Sequence, residues 1–404
     1  MPCVKIVLKT KHKEYDMAHY DCLVIGAGFA GAVTAGELAR RGNRRVLVLE
    51  KRDHVGGNAY DRLDASGILI HQYGPHIFHT SDRRVYDYLS QYTDWRDYRH
   101  EVVASIPAPG GRMELPVPFN LVSLETAFGP EKAGELAGKL IAAYGSEKKV
   151  TILELRSNPD PEIAALADYV YDHVFVRYTM KQWGQRPEEI DPNTTARVPV
   201  FLSRDCGYFQ DPWQGMPLNG YTPIFERLLD HPNITVELGT DAARRLTLGD
   251  ALLLDGEPFA GTVIFTGALD EFFGCRFGRL PYRTLDFRFE THAEDFYQSH
   301  ATVNYTMDED FTRITEFKRL TGQVLPGVTT VMKEYSRAYA GAEGEVPYYA
   351  IIAPENNALY ARYAALAGRY PQLRLLGRLA EYKYYNMDAI VGRALALADE
   401  LLGG

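Results

Sequence analysis

Residues Tyr20–Arg52, YDCLVIGAGFAGAVTAGELARRGNRRVLVLEKR, restrict the fold more than any other stretch. Cys22–Ile25 is a short apolar run without charge, as a parallel strand buried on both faces requires. Gly26, Gly28 and Gly31 then stand in G-x-G-x-x-G register. The first permits a sharp turn, the second lets backbone approach a pyrophosphate, and the third lets helix pack close on strand. The spacing predicts a helix over Ala30–Arg40, whose free N–H groups and positive dipole end point at phosphates. It predicts a second strand over Arg45–Leu49, closed by Glu50 where an acid takes ribose hydroxyls. A glycine triplet alone is weak evidence, but strand, helix, strand and acid in this order specify a dinucleotide-binding unit.

At 404 residues the chain is long enough for two or three domains. With 46% apolar and 24% charged residues it has the composition of a soluble globular protein, and no apolar run reaches the roughly 20 residues of a membrane span. Residues 1–16 lack the apolar core of a secretory signal and read as an extension, with Met17 as an alternative start. Four cysteines (Cys3, Cys22, Cys206, Cys275) form no C-x-x-C, so neither a zinc site nor a redox dithiol is expected, and a cytoplasmic location is. The net charge of −9 argues against a nucleic-acid surface. A polyanionic ligand must then be met by a few placed arginines. The 27 tyrosines suit a ligand-lined cleft as well as a core.

Farther along, Asp82 is the expected N-cap of an amphipathic helix over 82–95, and residues 99–117 read as a hairpin turned at Pro109–Gly111. His76 and His79 in GPHIFHT stand at i and i+3, yet no carboxylate or cysteine lies at ligand spacing and Gly-Pro favours an extended loop, so no metal is expected. Periodicity is helical from Ser123 to about Tyr178. Residues 191–219 hold four prolines and two glycines and read as a functional loop containing Arg197. Strands return over 234–272, and residues 283–352 alternate as an antiparallel sheet. The closing segment is strand, Gly377-Arg378, an aromatic turn and a helix with Ile390, Ala394, Leu397 and Leu401 on its apolar face, capped by Asn386 or Asp388.

The fold class expected is α/β. A discontinuous Rossmann-like domain (20–98, 219–280, 370–404) carries an inserted helical domain for substrate binding and dimerisation (118–193). An antiparallel sheet domain (99–117, 194–218, 281–369) has a mobile loop around 191–212, and residues 1–19 form an N-terminal extension.

Arg52 and Gly56-Gly57-Asn58 extend the nucleotide motif in a way that resembles flavoproteins of the glutathione-reductase and amine-oxidase type, which implies FAD. Taken with GPHIFHT, LPVPFNL, YTMKQWG, ARVPV, FTRITEFK, PYY and GRLAEYKYYNMD, the chain from about Tyr20 onward resembles the UDP-galactopyranose mutase family, flavoenzymes that interconvert UDP-galactopyranose and UDP-galactofuranose. The resemblance implies that Arg197, on a lid, and Arg313 grip the diphosphate, with Arg283 a further basic position nearby. It implies that Tyr208, Tyr349 and Tyr384 hydrogen-bond the same group, and that Phe175 and Tyr178 wall the uracil. Thr179 and Trp183 would lie beside the nucleotide sugar and the galactose, with Asn304 near substrate and flavin. His79 would sit close to the flavin ring, and His76 and Ile77 would touch cofactor by backbone. His100 stands where related bacterial enzymes often have asparagine. The implied cofactor set is Gly26, Gly28, Phe29, Gly31, Glu50, Lys51, Arg52, Gly57, Asn58, His76, Ile77, Gly377, Arg378, Tyr384, Asn386, Met387, Asp388 and Ile390.

Such a rearrangement transfers no electrons overall, so the implied role of reduced flavin is nucleophilic, through N5 at the anomeric carbon. No paired carboxylates are then needed. NAD(P)H or another reductant, loosely bound, supplies the electrons, a homodimer is expected, and galactofuranose for cell-surface glycans is the expected product. Two other classes share these features. An FAD-dependent oxidoreductase of amine-oxidase or desaturase type has the same residues 20–58 and closing helix, and a noncatalytic nucleotide-sugar sensor would bind without turnover.

Overall fold

The computed structural model describes residues 20–186 and 199–403. The N-terminal extension, and Arg197 within 187–198, lie outside the described residues. Cys22–Ile25 is the central strand of a five-stranded parallel sheet, ordered Ile234–Glu237, Val46–Leu49, Cys22–Ile25, Thr262–Phe265, Leu373–Leu375. Both faces are covered, as all-parallel sheets require. The two-residue alternation divides the strands cleanly. Val24, Val46, Val48 and Ile264 pack with Leu38, Val391 and Ala394 of the helices Phe29–Arg40 and Met387–Leu402. Leu23, Leu47, Leu49, Val263 and Phe265 pack on the other face with Phe273 and Tyr363.

The first helix begins at Phe29, one residue before the expected start, and buries Phe29 to Ala39 without interruption. Its small side chains allow this. A Cβ on Gly31 would fall 1.9 Å from the Gly26 carbonyl oxygen, so only glycine lets the helix lie this close to the turn. The closing helix differs from expectation in its buried face, which is Val391, Ala394, Leu395, Leu397 and Ala398. Ile390 is turned instead toward the cavity described below.

The second sheet has seven strands, ordered Tyr349–Ala350, Tyr282–His292, Thr329–Ala338, Arg313–Glu316, Thr302–Tyr305, Val102–Ala108, Gly111–Val117. All its pairs are antiparallel except Thr302–Tyr305 with Val102–Ala108, which brings the early hairpin onto its edge. A helical segment over 121–183 packs on the edge hairpin of this sheet. It opens at Leu121 because Asn120 and Ser123 form a reciprocal capping box. It ends in one continuous run, Pro161–Trp183, with a wide π-type turn at Tyr171–Phe175 and a left-handed Gly184 as C-cap. Leu124, Leu136, Leu166, Val170 and Phe175 fill its core.

Two expectations need correction. The helix capped by Asp82 spans only Arg83–Leu89, since Trp95–Asp97 is a strand pairing with Trp213–Pro217. The stretch 191–219 is not wholly irregular. Val200–Phe201 pairs with Lys149–Val150, and Trp213–Pro217 is the middle of a three-stranded sheet with Phe78–Thr80 and Trp95–Asp97. Short strands with Pro and Gly carry too little periodicity to register in the sequence.

Candidate functional site

At the carboxyl ends of the parallel strands lies a cavity of about 520 Å³, where open α/β sheets bind ligands. Gly26, Gly28, Phe29, Glu50, Lys51, Arg52, Gly57, Asn58, His76, Gly377, Arg378, Met387 and Ile390 line it, all named from the sequence. Gly31 acts from beneath, through close packing. Ile77 packs into the core beside His76, while Asn386 and Asp388 sit at the cap and first turn of the closing helix. Thr240, Asp241, Thr266, Pro347 and Tyr348 also line the cavity and were missed. Thr266 directly follows one parallel strand and Thr240 lies in the turn after another, so the strand-end rule was the signal that would have found them.

The cavity has the shape and donors for a dinucleotide. Gly28 and Gly57 face each other so closely that a Cβ on Gly57 would lie 2.9 Å from Gly28 Cα. Neither the first nor the closing helix has a side-chain cap at its start, which leaves backbone N–H groups to a ligand at both. Glu50 is fixed by Ala27 N at 2.7 Å and Arg52 N at 2.9 Å. Arg52 donates through Nη2 to Asn58 Oδ1 at 2.9 Å, while Nη1 is buried without a partner among the described residues. A buried, unpaired guanidinium N–H beside a glycine cradle is what a pyrophosphate or ribose oxygen would satisfy.

The GPHIFHT loop leads from this cavity to a cleft on the seven-stranded sheet, where Gly74 is seated against Phe287 and Glu334. Asn304, Arg313, Glu334 and Phe287 lie directly opposite one another on four successive strands, so their side chains share a face. Glu334 is fully buried and accepts from Arg313 Nε at 3.0 Å and Nη2 at 2.9 Å. Burial works against the Arg313 charge, but the Glu334 carboxylate outweighs it and holds the guanidinium firmly protonated. Asn304 Oδ1 and Glu334 Oε1 are buried without partners among the described residues.

Across the cleft stands the helix Val176–Trp183, carrying Tyr178, Thr179 and Trp183. Trp183 meets Tyr349 at 5.5 Å between centroids, Tyr349 stacks on Tyr384 at 6.1 Å, and Arg378 lies over both tyrosines. Arg378 thus joins the cofactor cavity to the cleft. Burial and Glu334 push the Tyr349 phenol up to about 12, and burial raises Tyr178, so both stay protonated hydrogen-bond donors. Phe175 lies at the end of the π-type turn and is 5% exposed, inside the core of the helical segment. Arg283 is occupied with protein groups: Nε donates to Gln182 O at 3.0 Å and Nη2 to Lys181 O at 3.1 Å.

Phe209 stacks on His79, at 3.6 Å, and lies near-parallel to His100, at 6.0 Å. His79 Nδ1 lies 2.8 Å from Asp211 Oδ2. His100 meets Tyr98 Oη at 3.2 Å and Tyr208 edge-on at 5.7 Å. Burial, then Arg313 and His79, depress the His100 pKa to about 3, so it is neutral at pH 7. Among the described residues no three His, Cys, Asp or Glu side chains converge on a metal site. Nor is any described helix long and apolar enough to cross a membrane.

A family model for UDP-galactopyranose mutase matches residues 173–384, and one for an NAD(P)-binding Rossmann-like domain matches 24–92. The chain is 35% identical to a UDP-galactopyranose mutase of Mycoplasma pneumoniae over 388 residues, 95% of this chain and 96% of that one. It belongs to the UDP-galactopyranose mutase family. Within that family it is equally similar to a dTDP-fucopyranose mutase of Escherichia coli, 36% identical over 93% of this chain and 97% of the other. The fold matches a crystal structure of reduced UDP-galactopyranose mutase, with TM-score 0.68 and 15% identity over 95% of this chain and 96% of that one. Sequence likeness to oxidoreductases is shorter: a Pseudomonas pseudooxynicotine dehydrogenase is 37% identical over 65 residues, 15% of the chain. Family membership therefore disfavours the oxidoreductase alternative, which shares the nucleotide motif and the fold.

Proposed function

We propose that the protein interconverts UDP-galactopyranose and UDP-galactofuranose, with FAD in the large cavity and the nucleotide sugar in the adjoining cleft. The observation that carries this reading is the Arg313–Glu334 pair, a charged fork held at a fixed position within reach of two protonated tyrosines and next to the cofactor cavity. Reduced flavin, when bound, supplies a nucleophilic N5 for the anomeric carbon with no net redox change.

The chain's own groups bind and orient. Arg313 meets the diphosphate as a rigid fork, with Tyr349 and Tyr384 donating beside it and Arg197 joining from the lid. Tyr178 offers its ring to uracil at the rim of the helical core that holds Phe175, and Tyr208 closes from the 199–212 loop. Thr179, Trp183 and Asn304 face the sugar. Holding UDP in place while the ring opens and recloses keeps the recombination intramolecular. His100 and His76, both neutral at pH 7, add no second charge to compete with the arginines. His79 is oriented by Asp211 near the flavin. Arg283 contributes as a basic group behind the wall helix. We assign the reductant to NAD(P)H or a similar donor binding loosely in the same cleft, the assembly to a homodimer, and the location to the cytoplasm.

Similarity to the dTDP-fucopyranose mutase favours one competing substrate. Holoenzyme incubated with UDP-galactofuranose and separately with dTDP-fucofuranose, with and without dithionite, tests both readings. Conversion of the first by reduced enzyme alone is the expected result. Turnover by oxidised enzyme, or of the dTDP-sugar only, overturns the proposal.

A further inference from the structure

Two cations, the buried Arg283 and the half-buried Lys181 of the wall helix itself, are engaged with backbone carbonyls. Arg283, on Tyr282–His292, caps the helix end by binding the Lys181 and Gln182 carbonyls, and Ser336 Oγ donates to Gln182 O at 2.7 Å. Lys181 reaches the other way. Its Nζ donates to the carbonyl of Tyr305 and, at 3.0 Å each, to those of Glu309 and Phe311. All three ammonium hydrogens are thereby used. The three acceptors are Tyr305, which ends the strand of Asn304, and Glu309 and Phe311 in the turn that leads to the strand of Arg313.

We infer that Lys181 is a positioning residue: it ties the helix bearing Tyr178, Thr179 and Trp183 to the turn between Asn304 and Arg313, and so fixes the separation of the two walls that face substrate. This rests on the functional reading above. The opposing faces are also joined by Arg283 and Ser336 at the same last turn of the helix, by the Arg177–Asp308 ion pair, and by Thr306, whose Oγ1 donates to His173 O. Loss of the Lys181 donors leaves three carbonyls without their partner and frees the turn next to Asn304 and Arg313.

Burial lowers the Lys181 pKa to about 8, against Glu309, Asp308 and Asp310, which raise it, while Arg112 lowers it further. Arg177 on the same helix is paired with Asp308. Above about pH 8 a neutral amine has two hydrogens for three carbonyls. The folded value lies below that of a free lysine, so between the two the unfolded chain binds more protons and this group's contribution to stability rises with pH. Substrate affinity and global stability therefore diverge in alkali.

Lys181→Met keeps the stem and removes the donors. In the reduced holoenzyme we expect KM for UDP-galactofuranose to rise about tenfold, the size of one charged hydrogen bond, with kcat less affected and flavin content unchanged. The fall of log kcat/KM expected above about pH 8 in the parent should vanish, and Lys181→Arg should restore most of the affinity. Unchanged KM with an intact alkaline limb overturns the inference, as does lowered stability alone. If Lys181→Met does not fold, Lys181→Gln and the parent's own pH profile carry the same test. Hydrogen exchange without substrate separates this from the functional reading. Faster exchange over 176–184 and 305–312 in the variant supports the tie whatever the enzyme turns over, and unchanged exchange refutes it.

Discussion

Glu334 Oε2 accepts both the Nε and Nη2 hydrogens of Arg313 from the neighbouring strand, at 3.0 and 2.9 Å, while the carboxylate itself is sealed from solvent. Arg313→Ala should therefore cost stability as well as activity, because an uncompensated buried carboxylate is worth roughly 3–5 kcal/mol. Combining Arg313→Met with Glu334→Gln should recover most of that stability and none of the turnover. Urea unfolding of the holoprotein beside a UDP-galactofuranose assay checks both. Equal stability of the single and double variants would show that the pair does not matter to the fold.

Arg197→Ala should abolish detectable turnover while the protein stays yellow. A variant that loses flavin would place Arg197 in the cofactor site rather than on the substrate lid.

Gly31→Ala puts a methyl group 1.9 Å from the Gly26 carbonyl oxygen, closer than any real contact. The turn beneath the pyrophosphate must then shift. We expect flavin occupancy, read from the absorbance ratio at 450 and 280 nm, to fall by about tenfold, a shift of about 1.4 kcal/mol. Full occupancy would mean that the helix can slide without cost.

His71 and His100 are buried and His76 is half-buried on the cavity wall, and loss of solvent lowers each pKa to about 3. In the unfolded chain they titrate near 6.5. Between these values the unfolded state binds more protons, so stability present above about pH 6.5 is lost as pH falls toward 3, on the order of 1.4 kcal/mol per unit for each group. Urea midpoints measured from pH 7 to pH 4 should fall steeply, and His100→Asn should flatten the slope. A flat profile in the parent chain would contradict the burial of these rings.

The nucleotide half was readable because each of its elements is specified locally. Charge-free strands, glycine register and Glu50 lie within one stretch of chain, and thirteen of the residues named from the sequence line the cavity. The cleft was less so. Nothing near Arg313 in sequence indicates that its partner is Glu334, because strand register decides it, and register is a property of the whole sheet. The Arg83–Leu89 helix was overestimated because Tyr92 and Trp95 continue a helical spacing although Trp95–Asp97 finds a strand partner more than a hundred residues away. Arg283 looked like a ligand for phosphate, and the fold gives it two carbonyls at a helix end, a contact invisible without coordinates.

The groove that receives the dinucleotide draws one wall from Gly26–Asn58 and another from Gly377–Ile390. During synthesis, a ribosome that has extruded the first three hundred residues has made every glycine of the fingerprint and still lacks the lip formed by Met387 and Ile390. A prematurely terminated copy stopping before the final helix should be colourless, so cofactor retention can sort finished chains from fragments in a crude extract.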